Sequence, residues 1–250
     1  VLGREADVRF AAWVGDRLYA ASFQDAPMGR IVAVDADGKT SIRLPEGKGA
    51  LQQIAPFGDG FLVVRSLGPD WWAEQYDAKA ALVRRLPLPA QGIAIAGIAS
   101  ETGQAKALIS WGGWTVPGCW SEYDGADGTL KTLFEVKPAA DYSRVRVQRI
   151  EGSSRDGTRI PVTVLSMQGT EPNGKAPTIL YSYGGFDIPI KPGFIGPSLA
   201  WLERGGVLAF ANIRGGNEFG EAWHEQGQKL SKQNVFDDFH AAALALIDHH

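Results

Sequence analysis

The sequence predicts a protein of two parts, with repeated short β-strands over residues 1–138 and the beginning of a doubly wound α/β sheet over residues 139–250. Three observations lead to this prediction: a strand-and-turn pattern that recurs in the first part, two nearly continuous apolar segments in the second, and a glycine pair after each of those segments. With 44% hydrophobic and 21% charged residues, the chain has the composition of a globular protein with a packed core.

The first part contains three similar units. In each unit one strand is expected, and these strands cover residues 16–22, 59–66 and 104–111. A second strand follows in each unit and ends on an aspartate, in the pairs Val34-Asp35, Tyr76-Asp77 and Tyr123-Asp124. A period of about 40 to 50 residues with several strands per unit is typical of β-propeller blades, in which neighbouring units bury each other's faces.

Three units are too few for a closed propeller, which needs about 4 to 8 blades. We therefore expect residues 1–138 to be the C-terminal blades of a larger propeller. An open three-repeat β domain or a sandwich is the alternative that the same pattern leaves open.

The second part begins with an antiparallel hairpin. Val145 and Val147, and then Ile160, Val162 and Val164, alternate with polar residues, and a turn is expected at residues 155–157 between the two runs. Residues 178–183 and 207–212 follow as nearly continuous apolar runs, which are typical of parallel strands buried on both faces.

Two helices are expected around the second parallel strand. Pro197 suits the first turn of a crossover helix, and Gly205-Gly206 suits its end. In the next helix Asn234 is the expected cap, and Asp237 and Asp238 favour the positive end of the helix dipole. One apolar stripe is expected along that helix, formed by Val235, Phe236, Phe239, Ala242, Ala243, Leu246 and Ile247.

Bulk properties disfavour several classes of partner. A formal net charge of −3 provides no basic surface for nucleic acid, and no apolar run reaches the ~18 residues of a membrane span. The segment after Val1 lacks a signal-peptide layout, so a soluble protein is expected and the choice of cytoplasm or periplasm stays open. Cys119 is the only cysteine, which excludes an internal disulfide and favours a small apolar filler.

The loops after the two parallel strands are where function is expected, because ligands gather at the carboxyl ends of such strands. The first loop reads Tyr183-Gly-Gly-Phe186, in which glycines allow close approach of a substrate and the aromatic residues supply an apolar wall and one hydroxyl. The second is the glycine-rich segment 212–220, which contains Arg214 and Glu218.

Three segments in this order resemble the prolyl oligopeptidase family of serine peptidases: residues 181–186, residues 212–216, and the run Lys-Gln-Asn-Val-Phe-Asp-Asp at residues 232–238. The resemblance implies a seven-bladed propeller joined to an α/β-hydrolase domain. It also implies a monomeric endopeptidase that cuts short peptides after proline, while the propeller excludes folded proteins. In this family the tyrosine that matches Tyr183 donates its hydroxyl to the oxyanion, and the phenylalanine that matches Phe186 helps to form the proline pocket.

The catalytic serine is expected outside this chain. An α/β-hydrolase needs a Gly-x-Ser-x-Gly elbow followed by an acid and a histidine, and the nearest segment, at residues 196–200, lacks the last glycine. We therefore expect the chain to be an internal piece of a longer protein, inactive by itself, with the Ser/Asp/His triad C-terminal to residue 250.

Simpler roles stay open for the candidate residues. Tyr183 could be a core tyrosine bonded to a backbone carbonyl, and Phe186 could be ordinary core packing. Arg214, followed by Glu218, is expected to connect loops rather than to act on substrate. No metal or cofactor is expected, because the four histidines (His224, His240, His249 and His250) form no ligand pattern and Gly47-Lys-Gly49 lacks a third glycine.

Two functional alternatives remain. The chain could be a non-catalytic binding or scaffold protein derived from a propeller. It could also belong to a neighbouring branch, an oligopeptidase B or an acylaminoacyl peptidase. Phe186 favours proline specificity, since the oligopeptidase B branch has a different residue at this position.

Overall fold

A computed structural model describes residues 7–89, 91–171 and 173–249, so His250 lies outside the described residues. The chain divides into two compact units. The first runs to Gly112 and includes Gly118–Val136, and the second consists of Gly113–Pro117 together with the chain from Lys137 onwards. Residues 113–117 therefore belong to the second unit although they fall within the predicted N-terminal part.

The first unit contains three four-stranded antiparallel sheets, each with its strands in sequence order. The first sheet is β1 (Val8–Val14), β2 (Arg17–Ser22), β3 (Arg30–Val34) and β4 (Thr40–Leu44). The second is β5 (Ala50–Phe57), β6 (Gly60–Leu67), β7 (Asp70–Tyr76) and β8 (Leu82–Arg85). The third is β9 (Ile93–Ser100), β10 (Lys106–Gly113), β11 (Cys119–Asp124) and β12 (Leu130–Glu135).

The aspartate at the end of each third strand forms the turn to the fourth. The Asp35 carboxylate accepts the Lys39 N–H at 2.7 Å, and the Asp77 carboxylate accepts the Ala81 N–H at 2.8 Å. The Asp124 carboxylate accepts the Ala126 N–H at 3.0 Å. Since short acidic side chains satisfy turn amides in this way, the repeated aspartate has a local structural cause in all three sheets.

Neighbouring sheets bury each other's faces. Phe61 of β6 is fully buried, with its ring centroid 5.5 Å from that of Tyr19 in the first sheet and 5.4 Å from that of Tyr76. A second cluster joins Leu62 and Val64 of the middle sheet to Ile109 and other residues of the third. This is the packing expected of consecutive propeller blades.

The second unit contains one four-stranded sheet with the order β13-β14-β16-β15. Its strands are β13 (Val145–Ser153), β14 (Arg159–Met167), β15 (Thr178–Tyr181) and β16 (Val207–Ala211). The first two form the predicted antiparallel hairpin, and β15 pairs with β16 in parallel, with Thr178 opposite Val207. The predicted hairpin and parallel pair are both confirmed.

Three helices accompany this sheet. A 3-10 turn at Gly196–Ser198 leads into α1 (Leu199–Glu203), which provides the short crossover between the parallel strands. α2 (Glu221–Glu225) and α3 (Gln233–His249) follow β16. Because α3 begins at Gln233, Asn234 lies inside the helix and is not its cap, and its side chain instead donates to the Gln226 carbonyl at 2.9 Å.

Within the described residues the two parallel strands differ in burial, whereas the sequence predicts that both are covered on two faces. β16 is largely buried, whereas Ile179 and Tyr181 of β15 are 48% and 51% exposed. The physical reason is position, since β15 is the last strand of the described sheet and has only β16 beside it.

The predicted apolar stripe of α3 is divided between two environments. Val235, Ala242 and Leu246 are buried, but Phe236 and Ile247 are 61% and 72% exposed. Small residues face the sheet because the backbones approach closely there. A Cβ on Gly152 of β13 would lie 2.7 Å from the Ala241 carbonyl oxygen, so no larger side chains fit between the helix and the strand.

Candidate active site

The loops that follow β15 and β16 meet at one edge of the sheet, because parallel strands end on the same side. The Ser182 hydroxyl donates to the Ala211 carbonyl at 2.7 Å, which joins the starts of the two loops. Further along, the Asp187 N–H donates to the Gly215 carbonyl at 3.1 Å. The structure therefore brings together the two segments in which the sequence predicts function.

Tyr183 and Phe186 lie on the open side of this edge. Tyr183 is 45% exposed, and its hydroxyl has no hydrogen-bond partner among the described residues. Phe186 is 82% exposed, with its ring centroid 6.4 Å from that of Tyr183. Among the described residues neither side chain has the core environment of the simpler roles considered above, a core tyrosine bonded to a carbonyl and a packed core phenylalanine.

The glycines of the two loops allow the backbones to touch. Gly184 has φ +61°, and a Cβ there would lie 2.5 Å from the Val235 side chain of α3. Gly215 has φ +102°, and its Cβ would lie 2.5 Å from the Gly184 carbonyl oxygen. A side chain at either position would be strained and would separate the loops, so the close approach requires glycine.

Arg214 is buried and connects three segments. Its Nε and Nη2 atoms donate to the two carboxylate oxygens of Asp238 at 2.9 and 2.6 Å. Its Nη1 atom donates to Asp156 in the hairpin turn, and this contact holds the pKa of Asp156 well below its usual range. Arg214 thus connects loops as the sequence suggests, but its acidic partners are Asp156 and Asp238 rather than Glu218.

The helix dipole, expected to explain Asp238, is not the main interaction of this residue. This residue is fully buried in the first turns of α3, where it accepts hydrogen bonds from Arg214 and from the Ser154 hydroxyl at 2.6 Å. A carboxylate buried in this way is stabilised by its ion pair and not by the helix dipole alone. Asp237, the other member of the pair, accepts a hydrogen bond from Gln233 at 3.0 Å.

Glu218 is a buried acid whose position the sequence does not reveal. It is 1% exposed, and one carboxylate oxygen accepts the Ile190 N–H at 2.8 Å and the Asn212 amide at 3.2 Å. Its other oxygen has no partner among the described residues. Burial raises the pKa of Glu218 to about 7, so the group is largely protonated below neutral pH.

Two further side chains hold the glycine loops, and the sequence reasoning missed both. His224, expected to be only a surface or packing residue, places Nδ1 2.8 Å from the Gly215 carbonyl oxygen and 3.1 Å from the Asp187 amide nitrogen, so its ring lies between the two loops. The Lys232 ammonium donates to the Gly184 carbonyl at 2.6 Å. Lys232 lies in residues 232–238, one of the three segments that resemble the family, and this resemblance could have identified it. No local pattern identifies His224.

A cavity of about 470 Å³ opens beside the first loop, and Phe186, His224 and Lys232 are among the residues that line it. This volume is in the range of small-ligand sites. In the described ranges, His, Cys, Asp and Glu side chains nowhere form a group of three that could hold a metal ion. No helix in the described part of the chain has both the length and the apolar character for crossing a membrane.

Comparison with known proteins identifies the family. A model described as the prolyl oligopeptidase family matches residues 194–250. A prolyl endopeptidase of Elizabethkingia meningoseptica is 33% identical over 252 residues, an alignment that covers 97% of this chain and 35% of the relative. The chain matches an internal segment of the prolyl oligopeptidase family. A further relative, the dual function macrocyclase-peptidase POPB of Amanita bisporigera, is 31% identical over 93% of this chain and 33% of its own length.

Solved structures of the prolyl oligopeptidase family confirm the fold. A structure from a study of two prolyl endopeptidases superposes with a TM-score of 0.91 at 30% identity, over 97% of this chain and 36% of that one. Prolyl oligopeptidase B of Galerina marginata, bound to a 35mer hydrolysis and macrocyclization substrate, gives a TM-score of 0.89 at 28% identity, over 97% and 35%. The predicted combination of propeller blades and the opening of an α/β-hydrolase sheet is confirmed, and the chain spans about a third of the length of these relatives.

Replacing Arg214 by methionine should destabilise the second unit by about 3–5 kcal/mol, because the buried Asp238 carboxylate would lose its charged partner. Thermal or denaturant unfolding measures this change. Arg159→Met is the matched control, since its side chain is 73% exposed and lies 3.6 Å from Glu151, and a surface pair of this kind contributes less than about 1 kcal/mol. Equal effects of the two substitutions would contradict the role given to the buried pair.

Glu218→Gln should change how stability depends on pH. The folded pKa of Glu218 is raised from 4.5 to about 7, so folding favours the neutral acid. As pH rises from 4.5 through 7, ionisation in the folded state becomes costly, and the wild-type free energy of unfolding should fall by about 3 kcal/mol relative to the glutamine variant. Unfolding at pH 5 and pH 8 measures this difference, and the exposed Glu225→Gln should follow the wild type. Parallel pH profiles for wild type and Glu218→Gln would contradict the assignment.

Proposed function

We propose that this chain is part of a serine endopeptidase that hydrolyses short peptides on the carboxyl side of proline. The observation that carries the proposal is the exposed hydroxyl of Tyr183, without a partner among the described residues, at the carboxyl edge of a parallel strand pair. The support from relatives is that proteins named prolyl endopeptidase match nearly the whole of the chain.

Tyr183 is proposed to stabilise the oxyanion. When a serine attacks a peptide carbonyl, negative charge develops on the former carbonyl oxygen, and a fixed donor directed at that oxygen lowers the barrier by about 3 kcal/mol. A phenol suits this task because its hydroxyl donates one hydrogen bond and its ring is rigid. The hydroxyl is not used in an internal hydrogen bond in the described structure, so it is available to a substrate.

Phe186 is proposed to form part of the pocket for proline. Its ring is 82% exposed beside the cavity and close to the Tyr183 ring, so it offers an apolar wall at the place where the scissile carbonyl would be bound. Contact between an aromatic face and the pyrrolidine ring removes apolar surface from water without requiring a polar partner.

The remaining parts of the proposal concern the whole protein. The serine, aspartate and histidine are proposed to lie C-terminal to residue 250, because no Gly-x-Ser-x-Gly occurs within residues 1–250. The propeller is proposed to restrict access to short peptides, and the complete enzyme to be monomeric. Residues 1–250 alone are expected to have no peptidase activity.

Tyr183→Phe in the complete protein should lower kcat for a short proline-containing chromogenic peptide by about 10- to 1000-fold with little change in KM, because the lost hydrogen bond forms only as charge develops. Steady-state kinetics measures both constants. Tyr181→Phe, at a tyrosine that is 51% exposed at the end of β15, two residues before Tyr183, is the matched control and should leave kcat unchanged. An unchanged kcat for Tyr183→Phe would remove this residue from the oxyanion role.

Phe186→Ala should reduce kcat/KM for the proline peptide by about 10- to 100-fold, the range expected when an apolar pocket loses a large contact. Phe134→Ala, at a phenylalanine 59% exposed on β12, is the control for removing an exposed aromatic side chain. Peptides with proline and with arginine before the cleaved bond should be compared in parallel. Faster cleavage of the arginine peptide by the wild type would favour the oligopeptidase B branch instead.

A further inference from the structure

We infer that Lys232 is a positioning residue that holds the Tyr183 loop in the orientation required for oxyanion binding, an inference that rests on the proposed function. The hydrogen bond from the Lys232 ammonium to the Gly184 carbonyl, 2.6 Å long, acts on the residue that directly follows Tyr183. A bond from a charged donor is shorter and stronger than one between neutral groups. It therefore determines the direction of the Gly184 carbonyl and of the peptide plane that follows.

The opposite side of Gly184 is held by packing. The position that a Cβ would take lies 2.5 Å from the Val235 side chain and 2.7 Å from that of Ile213. Val235 lies one turn after Lys232 at the start of α3, so one short stretch of chain both packs against Gly184 and bonds to its oxygen. The start of α3 is in turn held by the buried pair of Asp238 and Arg214.

The side chains of the loop itself provide little of this restraint. Tyr183 and Phe186 are 45% and 82% exposed, so neither is held in place by a surrounding core. Glycine at position 184 permits many backbone conformations, and φ +61° is only one of them. Without the lysine bond, the Gly184 peptide could rotate and move the Tyr183 hydroxyl.

Lys232 is an exposed residue, but its hydrogen bond to the Gly184 carbonyl is partly buried, so its loss should act on the conformation of this one loop and not on the folding of the whole unit. Its effect should therefore be found in catalysis. A misplacement of a catalytic group by 1 Å can cost about 100-fold in rate. The role differs from that of a catalytic residue, since Lys232 acts through Gly184 and is not proposed to touch the substrate.

The first test is kinetic and uses the complete protein. Lys232→Met, which keeps the aliphatic stem and removes the donor, should lower kcat for the proline peptide by about 10- to 100-fold while KM changes little. Lys232→Arg should restore most of the lost activity, and Lys175→Met, at an exposed lysine of the same unit, should match the wild type. Should the methionine variant not fold, Lys232→Leu, which also lacks a donor, takes its place. A wild-type kcat in a folded Lys232→Met variant would overturn the inference.

A double-mutant cycle separates positioning from a general structural effect. If Lys232 acts through Tyr183, Lys232→Met should slow the Tyr183→Phe variant much less than it slows the wild type. Full additivity of the two losses would overturn the inference. If Tyr183→Phe alone has no effect on kcat, the proposed oxyanion role fails. If Tyr183→Phe lowers kcat but Lys232→Met does not, the oxyanion role stands and only the positioning role of Lys232 fails.

A second measurement does not depend on turnover. With 3-fluorotyrosine at position 183, the ¹⁹F resonance reports the environment of this ring directly. One sharp resonance is expected for the wild type and for Lys232→Arg, and a shifted or divided resonance for Lys232→Met. An identical spectrum in Lys232→Met would overturn the positioning role whatever the enzyme cleaves.

Discussion

The second unit depends on a buried ion pair between Arg214 and Asp238. Removing two charges from water is costly, and the cost is offset only when the hydrogen-bonding groups find partners. Here the Arg214 guanidinium donates to both carboxylate oxygens of Asp238. The Ser154 hydroxyl also donates to Oδ1 of Asp238, and the Arg214 backbone N–H donates to Oδ2 at 3.0 Å. Asp156 satisfies a further donor. The pair thereby joins the hairpin turn, the loop after β16 and the start of α3, which are far apart in sequence.

The candidate site is built on that arrangement. Once the start of α3 is held against the loop of Arg214, Val235 and Lys232 meet Gly184 from two sides, and Gly215 lies against the Gly184 carbonyl. Glu218 and His224 contact the chain that continues from Phe186, at the Ile190 N–H and the Asp187 N–H, and His224 also lies against the Gly215 carbonyl of the second loop. The result is a rigid support below two exposed aromatic side chains. Hydrogen bonds hold the loop backbones, while the aromatic side chains stay exposed. This arrangement suits a site that must hold hydrogen-bond donors in place before charge develops.

The first unit is organised by repetition instead. Each sheet closes its last turn with an aspartate that accepts backbone N–H groups, and each pair of neighbouring sheets shares an apolar cluster. Because both devices are local or act between adjacent units, they recur in the sequence with a visible period. This explains why three blades could be predicted from degenerate repeats.

The sequence by itself determined the two kinds of architecture, the hairpin and the parallel strand pair, the loops in which function is sought, and the family. These features depend on residues that are adjacent in the chain or repeat at a fixed interval. Only the tertiary structure decided that β15 is exposed, that Asp238 is the partner of Arg214, and that Glu218 is a buried acid with a raised pKa. It alone revealed Lys232 beneath the Tyr183 loop. Arg214 is 24 and 58 positions away from its acidic partners Asp238 and Asp156 in the sequence. Lys232 is 48 positions away from Gly184. The energy of such a contact depends on burial and on relative placement in space, and neither quantity is encoded in a local pattern.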